Sequence, residues 1–186
     1  MTIRLPYELI GSIFKYINFN KLIDIVNDTK YMSLAHSYYS KNKYRISYEE
    51  AAKNGHISVL KYLNEHTEII CPCSIIVTAA KYGHLETVKW IYRNMYQYRN
   101  SYAMDYAAGN GHLDIIKWLH LFPESKCSIN AMDYAAANGH LDILIWLNDN
   151  RKEGYSDFAF EMANFNGYFE ITKWLLNNPE KRHSNR

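Results

Sequence analysis

Beyond about residue 45 the apolar and polar positions of this chain fall into one recurring order. The string AAGNGHLDIIKWL at 107–119 returns with small changes, its glycine standing at Gly55, Gly83, Gly111, Gly139 and Gly167, 28 residues apart each time. A constant period of this length predicts a solenoid, in which each unit buries its apolar face against its neighbours. Within a unit the pattern predicts two short helices. An alanine pair precedes the glycine in four units (Ala51-Ala52, Ala79-Ala80, Ala107-Ala108, Ala135-Ala136), with Ala163-Asn164 in the fifth. Small side chains there let a neighbouring backbone come close. The glycine then ends the first helix in a left-handed conformation that would cost a side chain on the order of 1 kcal/mol. In the second helix Leu113, Ile116 and Leu119 share one face, and Tyr62, Trp90, Trp118, Trp146 and Trp174 recur as a packing ladder. Glu86, Asp114, Asp142 and Glu170 sit in its first turn, where negative charge suits the helix dipole, and Lys89, Lys117 and Lys173 follow at pairing distance.

Residues 1–45 do not obey the period. Leu9, Ile10, Ile13, Phe14 and Ile17 fall at helical spacing with Pro6 placed for a first turn, Asn20 can cap a second helix carrying Leu22, Ile23, Ile25 and Val26, and a third short helix is expected over 31–38. The stretch LPYELIGSIFKYINFNKLIDIV resembles the opening of an F-box; 27–43 lacks the aromatic and cysteine pattern that many F-boxes carry. The resemblance implies docking to a Skp-type adaptor of a cullin-RING ubiquitin ligase through Leu5, Pro6, Leu9, Ile10, Ile13, Phe14 and Ile17. The alternative is that these helices only shield the open end of the array.

The recurring grammar of 46–177 is similar to the ankyrin repeat, which implies an all-α solenoid of five repeats and a role in binding proteins. Two features depart from that family. The usual Thr-Pro-Leu-His opening is replaced by Ala103-Met104-Asp105-Tyr106 and Ala131-Met132-Asp133-Tyr134, and the period of 28 falls short of the roughly 33 that is typical. With both helices intact, the missing residues must come from the β-hairpin connection, so shortened hairpins are expected, with the tryptophans partly filling the space. A Trp118→Ala change is then expected to cost several kcal/mol, like other large-to-small core changes. An F-box-like start joined to short ankyrins is also similar to the ankyrin families of amoebal giant viruses, which would place the protein in the host cytoplasm.

Composition narrows the choice further. A net charge of +2 with interleaved signs gives no basis for nucleic-acid binding. Three cysteines cannot all pair, which fits a reducing compartment. Charged residues interrupt the apolar start, and no run approaches a membrane span, so neither a signal peptide nor a transmembrane helix is expected. A monomer with a polar, frayed tail over 178–186 completes the picture.

No cofactor, metal or catalytic residue is expected. His56, His84, His112 and His140 recur in register but stand about a helix diameter, roughly 10 Å, apart in a stack; zinc requires its ligands within about 2.1 Å of one centre. The family resemblance assigns this histidine to the turn, through hydrogen bonds to neighbouring backbone. Cys71-Pro72-Cys73 has one spacer residue and no second pair, and His112 with Asp114 has no nucleophile beside it. Candidate target-binding residues are those that vary between units just before the glycine, which face the groove in ankyrin proteins, together with a Tyr- and Arg-rich loop: Lys53, Lys81, Tyr82, Tyr98, Arg99, Asn110, Asn138 and Phe165.

Overall fold

A computed structural model describes residues 47–66, 71–95, 97, 99 and 102–183. The F-box-like helices, with the docking residues Leu5 to Ile17, and the candidate Tyr98 lie outside the described residues. The chain divides into two compact units, Met1–Pro72 and Cys73–Arg186.

In the first unit the described residues form one helix pair, α1 (Tyr48–Lys53) and α2 (Ile57–His66). Ser47 caps α1 by accepting a hydrogen bond from the Glu50 amide at 3.1 Å. Tyr48, Ala51, Ala52, Val59, Leu60 and Leu63 are buried in this unit.

The second unit repeats the pair four times: α3 (Ile75–Lys81) with α4 (Leu85–Asn94), α5 (Ala103–Gly109) with α6 (Leu113–His120), α7 (Ile129–Ala137) with α8 (Leu141–Asn150), and α9 (Asp157–Phe165) with α10 (Phe169–Asn177). Each first helix packs on the first helix of the next pair. The alanine pairs lie in that seam, fully buried at Ala79, Ala80, Ala107, Ala108, Ala135 and Ala136. Their carbonyls also close the turn. At Gly111, with φ +83°, the His112 amide bonds the Ala107 carbonyl at 3.0 Å and the Gly111 amide reaches Ala108 at 3.4 Å, the crossed pair of bonds that ends a helix at a left-handed residue.

The second helices bury Val88 and Ile91, Ile115, Ile116 and Leu119, Ile143, Leu144 and Leu147, and Ile171 and Leu175. Leu113, expected on that buried face, is only half-buried, and Ile115 takes its place. The apolar stripe is thus turned by part of a helical turn towards the first helices. Among the expected charge pairs, Lys89 bonds Glu86 at 2.6 Å.

Between repeats the connections are loops, with no hairpin among the described residues. The only strands described are β1 (Tyr155–Ser156) and β2 (Arg182–His183), which pair in parallel. Of the tail expected over 178–186, residues 182 and 183 take part in this pairing, and 184–186 lie outside the described residues. Pro179–Lys181 forms a 3-10 turn, the Lys181 ammonium bonds the carbonyls of Asn148 and Arg151, and Arg182 bonds Asp157 at 2.6 Å.

The tryptophans differ from expectation too. Trp118 is half-buried; its ring meets Tyr92 of α4 edge-on at 5.3 Å and Phe122 at 4.8 Å, while Trp146 meets His120 of α6 at 5.2 Å. Each of these rings bridges neighbouring second helices, where direct helix contact is sparse, rather than filling the space of a lost hairpin.

Candidate functional site

The second unit is held together by two recurring joints, and what they leave free is the candidate site. The first joint places a ring on a glycine. A methyl group added to Gly83 would stand 2.6 Å from the His112 ring, one on Gly111 2.9 Å from His140, and one on Gly139 2.8 Å from Tyr168. The carbonyl two residues before each of these glycines accepts a bond from the next repeat: Lys81 from His112 Nε2 at 3.1 Å, Gly109 from Asn138 Nδ2 at 2.8 Å, and Ala137 from Asn166 Nδ2 at 2.8 Å. His112 therefore bonds backbone across the seam, as the ankyrin resemblance implied, and the glycine also makes room for the ring.

The second joint uses buried acid. Asp105 accepts from the Ser128 amide at 2.9 Å and hydroxyl at 2.5 Å, and Asp133 accepts from the Ser156 amide at 2.8 Å and hydroxyl at 2.6 Å. Each serine also caps its own helix, through the amides of Asn130 and Phe158. Burial raises the pKa of both carboxyls, while the serine hydrogen bonds oppose the rise. Burial also pushes the neighbouring Cys127 thiol up, so it is no nucleophile at neutral pH. The sequence shows this clasp as an Asp in register in two units with a Ser 23 residues later. The pairing was missed because Asp105 and Asp133 registered only as departures from the family opening.

Exposed and half-buried positions on the first helices recur every four residues, which keeps them on one face. Tyr102, Tyr106 and Asn110 line α5 and its cap, Asn130, Tyr134 and Asn138 line α7, Phe158, Met162 and Asn166 line α9, and Tyr82 stands at the end of α3. Tyr82, Tyr102, Tyr106 and Phe158 are each more than two-fifths exposed, and the Tyr106 and Tyr134 rings lie 6.3 Å apart. No charged residue occupies these face positions. Lysines stand at the margin, Lys81 over the Tyr82 ring at 5.7 Å and Lys126 over Tyr102 at 5.8 Å.

The sequence candidates distribute unevenly over this surface. Lys53 is exposed at the end of α1 in the first unit, and Lys81 and Tyr82 are exposed at the end of α3. Asn110 and Asn138 are exposed, but the Asn110 amide bonds the Tyr106 carbonyl at 2.8 Å and that of Asn138 is taken by the seam. Arg99 lies against the second helices, its Nε donating to the Tyr92 carbonyl at 2.7 Å and its guanidinium standing 5.1 Å from the Tyr92 ring. Burial and the nearby Glu124 push the Tyr92 hydroxyl up to about 12. Among the described residues Phe165 is the most exposed large apolar one, and it lies at the end of α9. Tyr102, Tyr106, Tyr134 and Phe158 were not among the candidates. Their signal was the four-residue spacing towards the turn, which shows only when units are compared along the helix as well as across repeats.

Residues 48–133 match the family model described as ankyrin repeats (3 copies). Over these 86 residues, a little under half of the chain, the repeats are similar to ankyrin repeats. No curated protein matches the chain. Ankyrin repeats bind protein partners and are typically non-enzymatic scaffolds. Among the described residues no group of three His, Cys, Asp or Glu side chains is placed to hold a metal ion, and no helix is long and apolar enough to cross a membrane. The first-helix surface of the second unit offers aromatic rings, amides and hydroxyls, which suit recognition of a protein segment.

Proposed function

We propose that this protein is a non-enzymatic recognition protein whose first-helix face in the second unit holds a protein target. The F-box-like segment then links that target to a Skp-type adaptor of a ubiquitin ligase, in the cytoplasm. The observation that supports target binding is the uncharged Tyr- and Asn-containing face around Tyr102, Tyr106 and Tyr134. Tyrosine presents a large amphipathic surface at low entropic cost, and asparagine adapts its hydrogen bonding. The absence of charge on this face suits a neutral segment with apolar anchors. Support for the adaptor link is the likeness of the sequence LPYELIGSIFKYINFNKLIDIV, which begins at Leu5, to the opening of an F-box. A second reading, a plain ankyrin scaffold or inhibitor of a host protein, keeps the same face and leaves the N-terminal segment as a cap.

Both parts are tested on the full chain. A purified Skp-type adaptor is expected to bind wild type and to be lost with Leu9→Asp/Phe14→Asp; no adaptor on either protein rejects the ligase link and leaves the scaffold reading. For the face, a target captured by cross-linking is expected to lose at least about tenfold in affinity with Tyr106→Ala/Tyr134→Ala. Unchanged binding would reject the face as the site.

A further inference from the structure

The end of the stack formed by α9 and α10 departs from the pattern that the inner repeats set. The buried Ala80, Ala108 and Ala136 stand in register with Asn164, and the exposed Lys81 and the buried Gly109 and Ala137 with Phe165. At the outer repeat Asn164 is exposed, the polar change that shields an end face from water. Phe165 goes the other way. It replaces a glycine and an alanine that are buried in α5 and α7 with an aromatic ring 83% exposed. Phe169, across the Gly167 turn, is 71% exposed, and Leu176, two turns further along α10 on the same face, is 60% exposed. The positions in register with Leu176 are better covered, with Tyr92 buried and His120 and Asn148 half-buried.

Gly167 completes the anomaly. It has the same left-handed backbone, φ +78°, as the three glycines that carry a ring from the next repeat, yet among the described residues nothing lies within 4 Å of where its side chain would begin. The face thus carries both halves of the ring-on-glycine joint, a bare glycine and two projecting rings beside it. A surface that holds both a socket and its plug is self-complementary, which is what a two-fold interface requires.

We propose that this face joins two copies of the chain, the α9–α10 end of one packing on the same end of the other around a two-fold axis. Phe165 and Phe169 of each copy cover the Gly167 turn of its partner, continuing across the axis the joint that His112, His140 and Tyr168 make within the stack. At ~200 Å² for a fully exposed aromatic side chain, these two rings alone present roughly 300 Å² per copy. A standard interface buries about 800 Å² per partner, so the rings form the apolar centre. Exposed Glu161, Asn164, Lys173 and Asn177 then lie around it as the polar rim. An interface of this size gives a reversible dimer rather than an obligate one.

Sedimentation of the full chain over a range of about 1 to 200 μM (a window matched to a weak interface) tests the proposal. Wild type is expected to shift from monomer to dimer across this range, and Phe165→Glu to weaken dimerisation by at least about tenfold with an unchanged melting temperature. Leu121→Glu, which alters an exposed apolar side chain at the end of α6, away from this face, is expected to leave the dimer intact. Wild type that remains monomeric throughout would overturn the proposal, whether another segment of the chain covers the face or nothing does. A dimer insensitive to Phe165→Glu, or one abolished by Leu121→Glu, would also overturn it by placing the interface elsewhere.

Discussion

At the residue scale the glycine of each turn carries two requirements that a substitution can separate. Gly111 and Gly167 share a left-handed backbone, but only Gly111 lies under a ring, that of His140. Measured at concentrations where the chain is monomeric, alanine at Gly167 is expected to cost about 1 kcal/mol, the penalty of the conformation alone. Alanine at Gly111 must also displace the His140 ring from the seam, and is expected to cost about 2 kcal/mol or more. Thermal or urea unfolding of the two variants measures the difference, and equal losses would show that the ring contact contributes nothing. The conformational half of this was legible in sequence, because helix, glycine and helix follow one another in every unit. The steric half was not, since the ring arrives from 29 residues away and only the seam brings it there.

At the element scale the Asp–Ser clasps and the tryptophans decide how one helix pair meets the next. Asp133→Ala leaves the buried Ser156 amide without an acceptor, an expected loss of about 1–3 kcal/mol. The titration of this acid has a definite sign. Because burial raises the Asp133 pKa above its ordinary 3.8, the folded protein holds its proton more tightly than the unfolded chain. Its contribution is therefore greatest below 3.8 and is lost as pH rises through the folded value. Asp133→Asn is expected to flatten that decline, so that its melting temperature falls less than that of wild type between about pH 4 and pH 7. Parallel curves would show that another group sets the slope. Trp118, half-buried on the outer side, is expected to cost about 2 kcal/mol on replacement by alanine, below the 3–5 kcal/mol of a fully buried ring; a melting curve left in place would remove it from the seam altogether. Periodicity made both helices and their order readable. It could not tell which side of a second helix turns inward, because Leu113 and Ile115 are equally apolar and only the rotation of the helix in its pair separates them.

At the scale of the whole molecule the candidate site follows from the same regularity. Residues spaced by four along a first helix and by 28 between helices form a grid, and the grid at Tyr102, Tyr106 and Tyr134 is what a partner meets. Lys81 and Tyr82 were readable as part of it because they vary beside a fixed turn. Arg99 was not separable from them, since a loop residue carries no register and its contact with Tyr92 arises only when the chain closes over the second helices.

The two joints also give the stack a direction. Each repeat of the second unit presents acceptors on one side and delivers rings, amides or serines on the other, so the partner of a given group is specified by role and not by identity. Asp133 meets Ser156 as Asp105 meets Ser128. Excision of 105–132, one full period, joins Met104 to Asp133 and leaves every remaining group facing its proper counterpart. The shortened chain is expected to fold, with helical circular dichroism and a cooperative melt, whereas removal of half a period is expected to yield neither. A gene encoding such joints can therefore grow or shrink in steps of 28 codons without inventing a new interface, and its length becomes a variable that selection can adjust as freely as its surface.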